Sequence, residues 1–147
     1  MKNPFLKDDL NIEDIRGDQY AFMPPISNVL RVEALGYFLV ASGLYHWAGF
    51  SWIQFFIWFL LPDLSMLVYV FASARAGMWA YNVAHSSIGA ALVSVYAVVF
   101  NDKLCQQIAL IWWAHIGFDR ALGYGLKYPM GFRVTHMGLI QGRSRKS

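Results

Sequence analysis

Four apolar stretches follow one another with almost no polar sequence between them, over residues 29–48, 51–72, 78–100 and 104–123. Each is close to the ~20 residues that an α-helix needs to cross ~30 Å of hydrocarbon. The separators are short: Gly49-Phe50, residues 73–77, and Asn101-Asp102-Lys103. Short links between long helices require antiparallel neighbours. The pattern therefore predicts an all-α chain, an integral membrane four-helix up-down bundle. Composition agrees, at 57% hydrophobic and 14% charged residues, far from the balance of a soluble domain. A soluble all-α protein with a very apolar core is the competing reading, and four consecutive spans argue against it. Trp47, Trp52, Tyr69, Trp79, Tyr81, Tyr124 and Tyr128 fall near segment ends, where an aromatic belt meets the headgroups.

Residues 1–28 are polar and mixed in charge and read as a cytosolic tail. Residues 29–123 form the bundle, and residues 124–147 an interfacial segment ending in a basic tail. Met23-Pro24-Pro25 is expected to break any helix, leaving Ser27 or Asn28 to cap the first span. The first apolar run begins only after Arg31, so no cleavable signal peptide is expected. Turns are expected at Tyr128-Pro129 and Gly131. Apart from Lys103, every Lys and Arg lies in the tails, in the Arg75 loop or at the helix ends on that same side. The positive-inside rule then places both termini in the cytoplasm. Membrane lipids are the expected surroundings. Net charge is +3, and no basic array interleaves with aromatics, so a nucleic-acid partner is not expected. Cys105 is the one cysteine, which excludes an internal disulfide.

This topology brings polar residues from four helices to one depth. Glu33 is early in the first helix, and Asp63 is past the middle of the second. Asn82, His85 and Ser86 are in the first half of the third, and His115, Asp119 and Arg120 in the second half of the fourth. At 1.5 Å rise per residue, most of them fall within roughly 15 Å of the cytoplasmic face. His46 is the exception, near the opposite end. His115 and Asp119 stack one turn apart on a helix. Tyr81, Asn82, His85, Ser86 and Gly89 share one helical stripe. Gly89 allows a neighbour to approach closely, and Pro62 predicts a kink beside Asp63.

Ionisable groups inside an apolar span persist mostly when paired, ligating or working. Two imidazoles with two or three carboxylates are the ligand set of a Zn²⁺, Mn²⁺ or Fe site. Asp63, His85, His115 and Asp119 are the candidate metal ligands, with zinc the expected ion. Glu33 is a ligand, an orienting group or a general base. Arg120, with Lys127 and Arg133 nearby, is placed to hold a phosphate. Plainer roles compete: interhelical hydrogen bonds for the histidines, Asn82 and Ser86, and an ion pair for Asp119 with Arg120. Convergence of four helices at one depth favours a site over four unrelated accommodations.

Five motifs appear in order: LRVEALGYF (Leu30 to Phe38), PDLSM (Pro62 to Met66), YNVAHS (Tyr81 to Ser86), AHIGFDRALGYGLKY (Ala114 to Tyr128) and THMG (Thr135 to Gly138). On these the sequence resembles the domain of unknown function 4260 family of small bacterial integral membrane proteins. That resemblance implies that the membrane is a bacterial cytoplasmic one. More loosely, Pro62-Asp63, Ala84-His85-Ser86 and His115 to Asp119 are similar to the Pro-Asp-x-Asp, Thr-His-Ser and His-x-x-x-Asp motifs of membrane-bound metal-dependent hydrolases. Ser65 stands where their second Asp would be. That likeness implies a metal held by Asp63, His85, His115 and Asp119. The resulting expectation is a cytoplasm-facing metal-dependent hydrolase acting on a lipid or phosphoester. The alternatives are a non-enzymatic membrane protein with a structural His/Asp network, and a haem-binding electron-transfer subunit with His85 and His115 as axial ligands.

Overall fold

The computed structural model describes residues 24–128, 131–135 and 138–139. Most of the expected N-terminal tail and the basic C-terminal tail lie outside the described residues. Helix α1 (Pro24–Trp47) begins ahead of Ser27 and Asn28, which are not its caps. A proline in the first turn forfeits only an N–H that has no intrahelical partner.

The second apolar stretch is divided into α2 (Trp52–Phe59), a 3-10 turn (Pro62–Leu67) and α3 (Val68–Phe71). Pro62 ends α2 instead of kinking it. The chain tightens to three-residue bonds, such as Asp63 N–H to the Leu60 carbonyl at 3.2 Å. The third stretch is also interrupted, into α4 (Ala74–His85) and α5 (Ser87–Val99), by extended backbone at Ser86 (φ −77°, ψ 137°). The Ser86 Oγ accepts from the Ile88 N–H at 3.2 Å, the local competition by which serine leaves helix interiors. The stripe expected on one helix is therefore shared by two. Helix α6 (Lys103–Leu122) is continuous. Asp102 caps its start by accepting from the Cys105 N–H at 3.0 Å.

Helix α1 lies along α6, α5 packs on the same helix, and α4 packs against the 3-10 turn. Gly117 makes the first contact possible. A Cβ there would sit 2.6 Å from the Phe38 nitrogen and 2.8 Å from the Ala34 carbonyl. Gly89 does admit a close neighbour, the Trp112 indole, 2.5 Å from where a Cβ would be. Ala41, Tyr45, Phe55, Ile111 and Ala114 form the core between α1, α2 and α6. There the Tyr45 hydroxyl donates to the Ser51 carbonyl (2.7 Å) and accepts from Gln107 Nε2 (2.8 Å).

The chain is mostly helical but not all-α. After α6 it forms an antiparallel sheet, β1 (Lys127–Tyr128), β2 (Gly131–Thr135) and β3 (Gly138–Leu139), in that order. Strand β1 pairs with β2 through Tyr128 opposite Gly131; the turn expected at Tyr128-Pro129 falls partly outside the described residues. The segments are too short for helices, so their backbone groups are satisfied by pairing with one another.

Two helical stretches, Trp52–Phe71 and Ala74–Val99, are long and apolar enough to cross a membrane, with mean hydropathy 1.7 and 1.4. Only 6% and 17% of those windows are buried, so they are not the core helices of a soluble fold. Helices α1 and α6 are also of spanning length, at 24 and 20 residues, but carry the charged residues discussed below. Gly117→Val should drive α1 and α6 apart and cost about 1–3 kcal/mol, as overpacking does. A thermal midpoint in detergent at or above that of the wild type would contradict this contact.

Candidate metal centre

The breaks in the second and third stretches carry two candidate ligands: Asp63 follows Pro62 in the 3-10 turn and His85 ends α4, while His115 and Asp119 lie one turn apart on the continuous α6. His85 and His115 are buried, and Asp63 and Asp119 half-buried. Their ligand atoms all lie within 4.8 Å of one another. His115 Nε2 is 3.1 Å from His85 Nε2. His85 Nε2 lies 3.4 Å from Asp63 Oδ1 and 3.5 Å from Asp119 Oδ2. His115 Nε2 lies 3.7 and 3.8 Å from the same two oxygens. Four ligands around a tetrahedral zinc at ~2.0–2.2 Å are roughly 3.3–3.6 Å apart. The convergence expected from sequence is thus present at near-coordination spacing.

The imidazoles are oriented from behind. His85 Nδ1 is 2.9 Å from the Tyr81 carbonyl, so that nitrogen carries the proton and Nε2 presents its lone pair to the cluster. The Tyr81 ring stacks on His85 with centroids 3.8 Å apart and planes at 13°. The Phe59 ring meets His115 edge-on at 5.2 Å. His115 Nδ1 is buried and makes no hydrogen bond of standard geometry among the described residues, with the Phe59 backbone beside it. The break after His85 leaves the Ala84 carbonyl without a helical partner, and Trp112 Nε1 donates to it at 2.6 Å.

With His85 Nε2 unprotonated, one proton on His115 Nε2 faces three acceptors at once: His85 Nε2, Asp63 and Asp119. Two carboxylates and an imidazole lone pair in a largely buried space repel, and either a further proton on a carboxyl or a cation among the four groups relieves that repulsion. The residues present fit a divalent metal of the zinc type. They do not fit a haem, because carboxylates within 3.8 Å of both imidazoles occupy the plane a porphyrin would need.

Segment GYGLKY forms a floor beneath this cluster. Gly123 ends α6 at φ +95°. The Gly123 N–H bonds the Arg120 carbonyl (3.0 Å) and the Tyr124 N–H the Asp119 carbonyl (2.9 Å). That paired closure turns the chain back under the helix. The Arg31 guanidinium covers Gly123, a cation at the negative end of α6. Asn82 then clamps the returning strand: its Nδ2 donates to the Lys127 carbonyl (2.9 Å) and its Oδ1 accepts from the Lys127 N–H (2.7 Å). Lys127 Nζ lies 4.4 Å over the Tyr81 ring. Burial pushes the Lys127 ammonium down to about 8, against the opposing pull of the Asp119 carboxylate. A cavity of about 10 Å³ remains between Tyr81, His85, Asp119, Arg120 and Tyr124, room for about one water molecule.

Arg120 therefore borders the cluster, as expected. Glu33 is not part of it. Its exposed carboxylate accepts from the Tyr37 hydroxyl on α1. Arg133 is on β2, and its side chain lies outside the described residues. His46 is exposed beside Trp52, away from the cluster. The Asn82 clamp was not legible beforehand, because its partner is 45 residues away. The Tyr81 platform had a signal, four residues before His85 on the same stripe.

Over residues 27–140 the sequence matches the model of the family described as Domain of unknown function (DUF4260), and the chain belongs to that family. No curated protein and no solved structure matches it.

Asn82→Ala should release the floor while leaving the four ligand side chains in place. Two lost bonds to one peptide cost about 1–3 kcal/mol. The Lys127 amide should then exchange its hydrogen roughly tenfold faster or more. Unchanged exchange at Lys127 would show that the floor is held by other contacts.

Proposed function

We propose that the chain is an integral membrane protein that binds one divalent metal ion, zinc foremost, and hydrolyses a lipid or phosphoester at the cytoplasmic side of the bilayer. The observation that carries this reading is the convergence of Asp63, His85, His115 and Asp119, whose ligand atoms lie within 4.8 Å of one another. The membrane setting is supported by the two unburied apolar stretches, and the orientation by the side on which the Lys and Arg residues lie.

Bound zinc supplies Lewis acidity and an activated water. The chain's own residues do the rest. Tyr81 and the Tyr81 carbonyl hold His85 in one tautomer and one plane. Asp63 is the more exposed of the two carboxylates, 39% against 17%. With zinc bound, its second carboxyl oxygen would be the group placed to accept a proton from water. Arg120 lines the small cavity beside His85 and Asp119 and is the group placed to hold an anionic part of the substrate, while Lys127 is buried over the Tyr81 ring.

Metal analysis of detergent-purified protein tests the reading. Wild type reloaded with zinc should carry one ion per chain. His85→Ala and Asp119→Ala should each carry less than about a tenth of that, since a lost ligand costs the site most of its affinity. Occupancy should also fall as pH is lowered, because imidazoles and carboxylates bind metal deprotonated. Sub-stoichiometric metal in the wild type under replete, chelator-free conditions would overturn the proposal.

A second reading, a purely structural network, is favoured by one distance. The Nε2–Nε2 separation of 3.1 Å is also a hydrogen bond. On that reading His115→Ala lowers the thermal midpoint equally with and without added zinc. On the metal reading, zinc raises the midpoint of the wild type and leaves the variant unmoved.

A further inference from the structure

A structural zinc site is closed by protein side chains, whereas one that does chemistry keeps a position for a ligand from outside. Four candidate ligands converge here, enough to fill a tetrahedral ion. For the centre to act on anything, one of them has to give way. The four are not held equally.

The His115 side chain is 1% exposed, on the continuous α6, with the Phe59 ring meeting it edge-on. That of His85 is 5% exposed, stacked on the Tyr81 ring and tied through Nδ1 to the Tyr81 carbonyl. Asp119 is 17% exposed and is held from the floor side, where the Tyr81 hydroxyl donates to it and the Lys127 ammonium attracts it. Asp63 is 39% exposed. Among the described residues its carboxylate has only the two imidazoles as hydrogen-bond or ion-pair partners. Three ligands are therefore oriented by groups outside the cluster, and Asp63 is oriented by the cluster alone.

The backbone beneath them follows the same order. Helix α6 buries Ala114, Ile116 and Gly117 on either side of His115, and α4 buries Gly77, Met78 and Tyr81 ahead of His85. The turn Pro62–Leu67 buries no residue, and Leu64 and Leu67 in it are exposed. Three-residue bonds have poorer geometry than α-helical ones, and a 3-10 stretch between helical segments often marks a hinge. Few buried contacts also mean a low free energy of local opening. On the opposite side the floor leaves a cavity of about 10 Å³, room for about one water. The more open approach to the ligand atoms passes Asp63.

We infer that Asp63 is the exchangeable ligand of the centre, yielding its place to an anionic ligand from outside the chain while His85, His115 and Asp119 stay. This rests on the metal reading above and adds where the centre opens. Withdrawal takes a change of side-chain rotamer toward the exposed side, and the turn beneath can give with it. The withdrawn carboxylate stays within reach of what replaces it, the place of a general base.

The test uses the full-length protein in detergent, loaded with Co²⁺ so that ligand exchange shows in the d–d spectrum, with azide as the incoming anion. In wild type azide should shift the band saturably and keep its four-coordinate intensity, as replacement of a ligand does and addition of one does not. Asp63→Ala and Asp63→Asn should still hold roughly half an ion per chain or more, unlike Asp119→Ala, because three ligands suffice for an open site. Both should bind azide about tenfold more tightly than wild type, since no carboxylate competes for the position. A wild-type spectrum indifferent to azide overturns the inference, and so does equal azide affinity in wild type and variants. So does an Asp63 variant with a wild-type thermal midpoint that loses its metal as Asp119→Ala does. Should both variants misfold, the wild-type titration decides. Wild type that takes up neither Co²⁺ nor zinc overturns the metal reading itself, an outcome distinct from these.

Discussion

Four ligand atoms of like electrostatic character meet inside an apolar protein. Two carboxylate oxygens and two imidazole nitrogens lie 3.1–3.8 Å apart along the contacts described. In a medium of low dielectric such an assembly is expensive, because desolvation costs several kcal/mol per ion before repulsion is counted. A cation held among them would reverse the sign of the whole interaction. The surrounding features read as consequences: fixed ring planes, a close α1–α6 contact at Gly117, and a floor that closes the space beneath.

The two most apolar stretches are both discontinuous, and both breaks fall at the cluster. Irregular backbone within an apolar layer is tolerated where it lines a cavity or is buried in protein, since its free polar groups need partners. Pro62 forces one break, and the chain recovers through three-residue bonds. Ser86 makes the other, capping α5 while Trp112 takes up the Ala84 carbonyl. A continuous helix would place Asp63 and His85 on rigid cylinders. The breaks let each side chain leave its helix end and turn toward α6.

The C-terminal segment completes the centre from a different kind of structure. Gly123 reverses the chain, and Asn82 receives it with two bonds to a single peptide. Lys127 is thereby held over Tyr81, which is itself stacked on His85.

Much of this was legible in the residues. The four apolar stretches, the boundaries of α6 and the four clustered side chains all follow from local chemistry: hydropathy, an Asp102 cap, a Gly123 stop, and ionisable groups that an apolar segment keeps only for a reason. The tertiary structure decided the rest, because it depends on contacts between distant residues. Glu33 shares the depth of the cluster but faces away on α1, since depth does not specify which side of a helix meets its neighbours. The breaks at Pro62 and Ser86 were local, yet whether a proline kinks a helix or ends it depends on what receives the freed backbone. The sheet and the Asn82 clamp join elements with no mark on each other's sequence. Residue type and spacing determined which groups this protein could bring to a metal, and the packing of broken helices on α6 determined that their lone pairs meet.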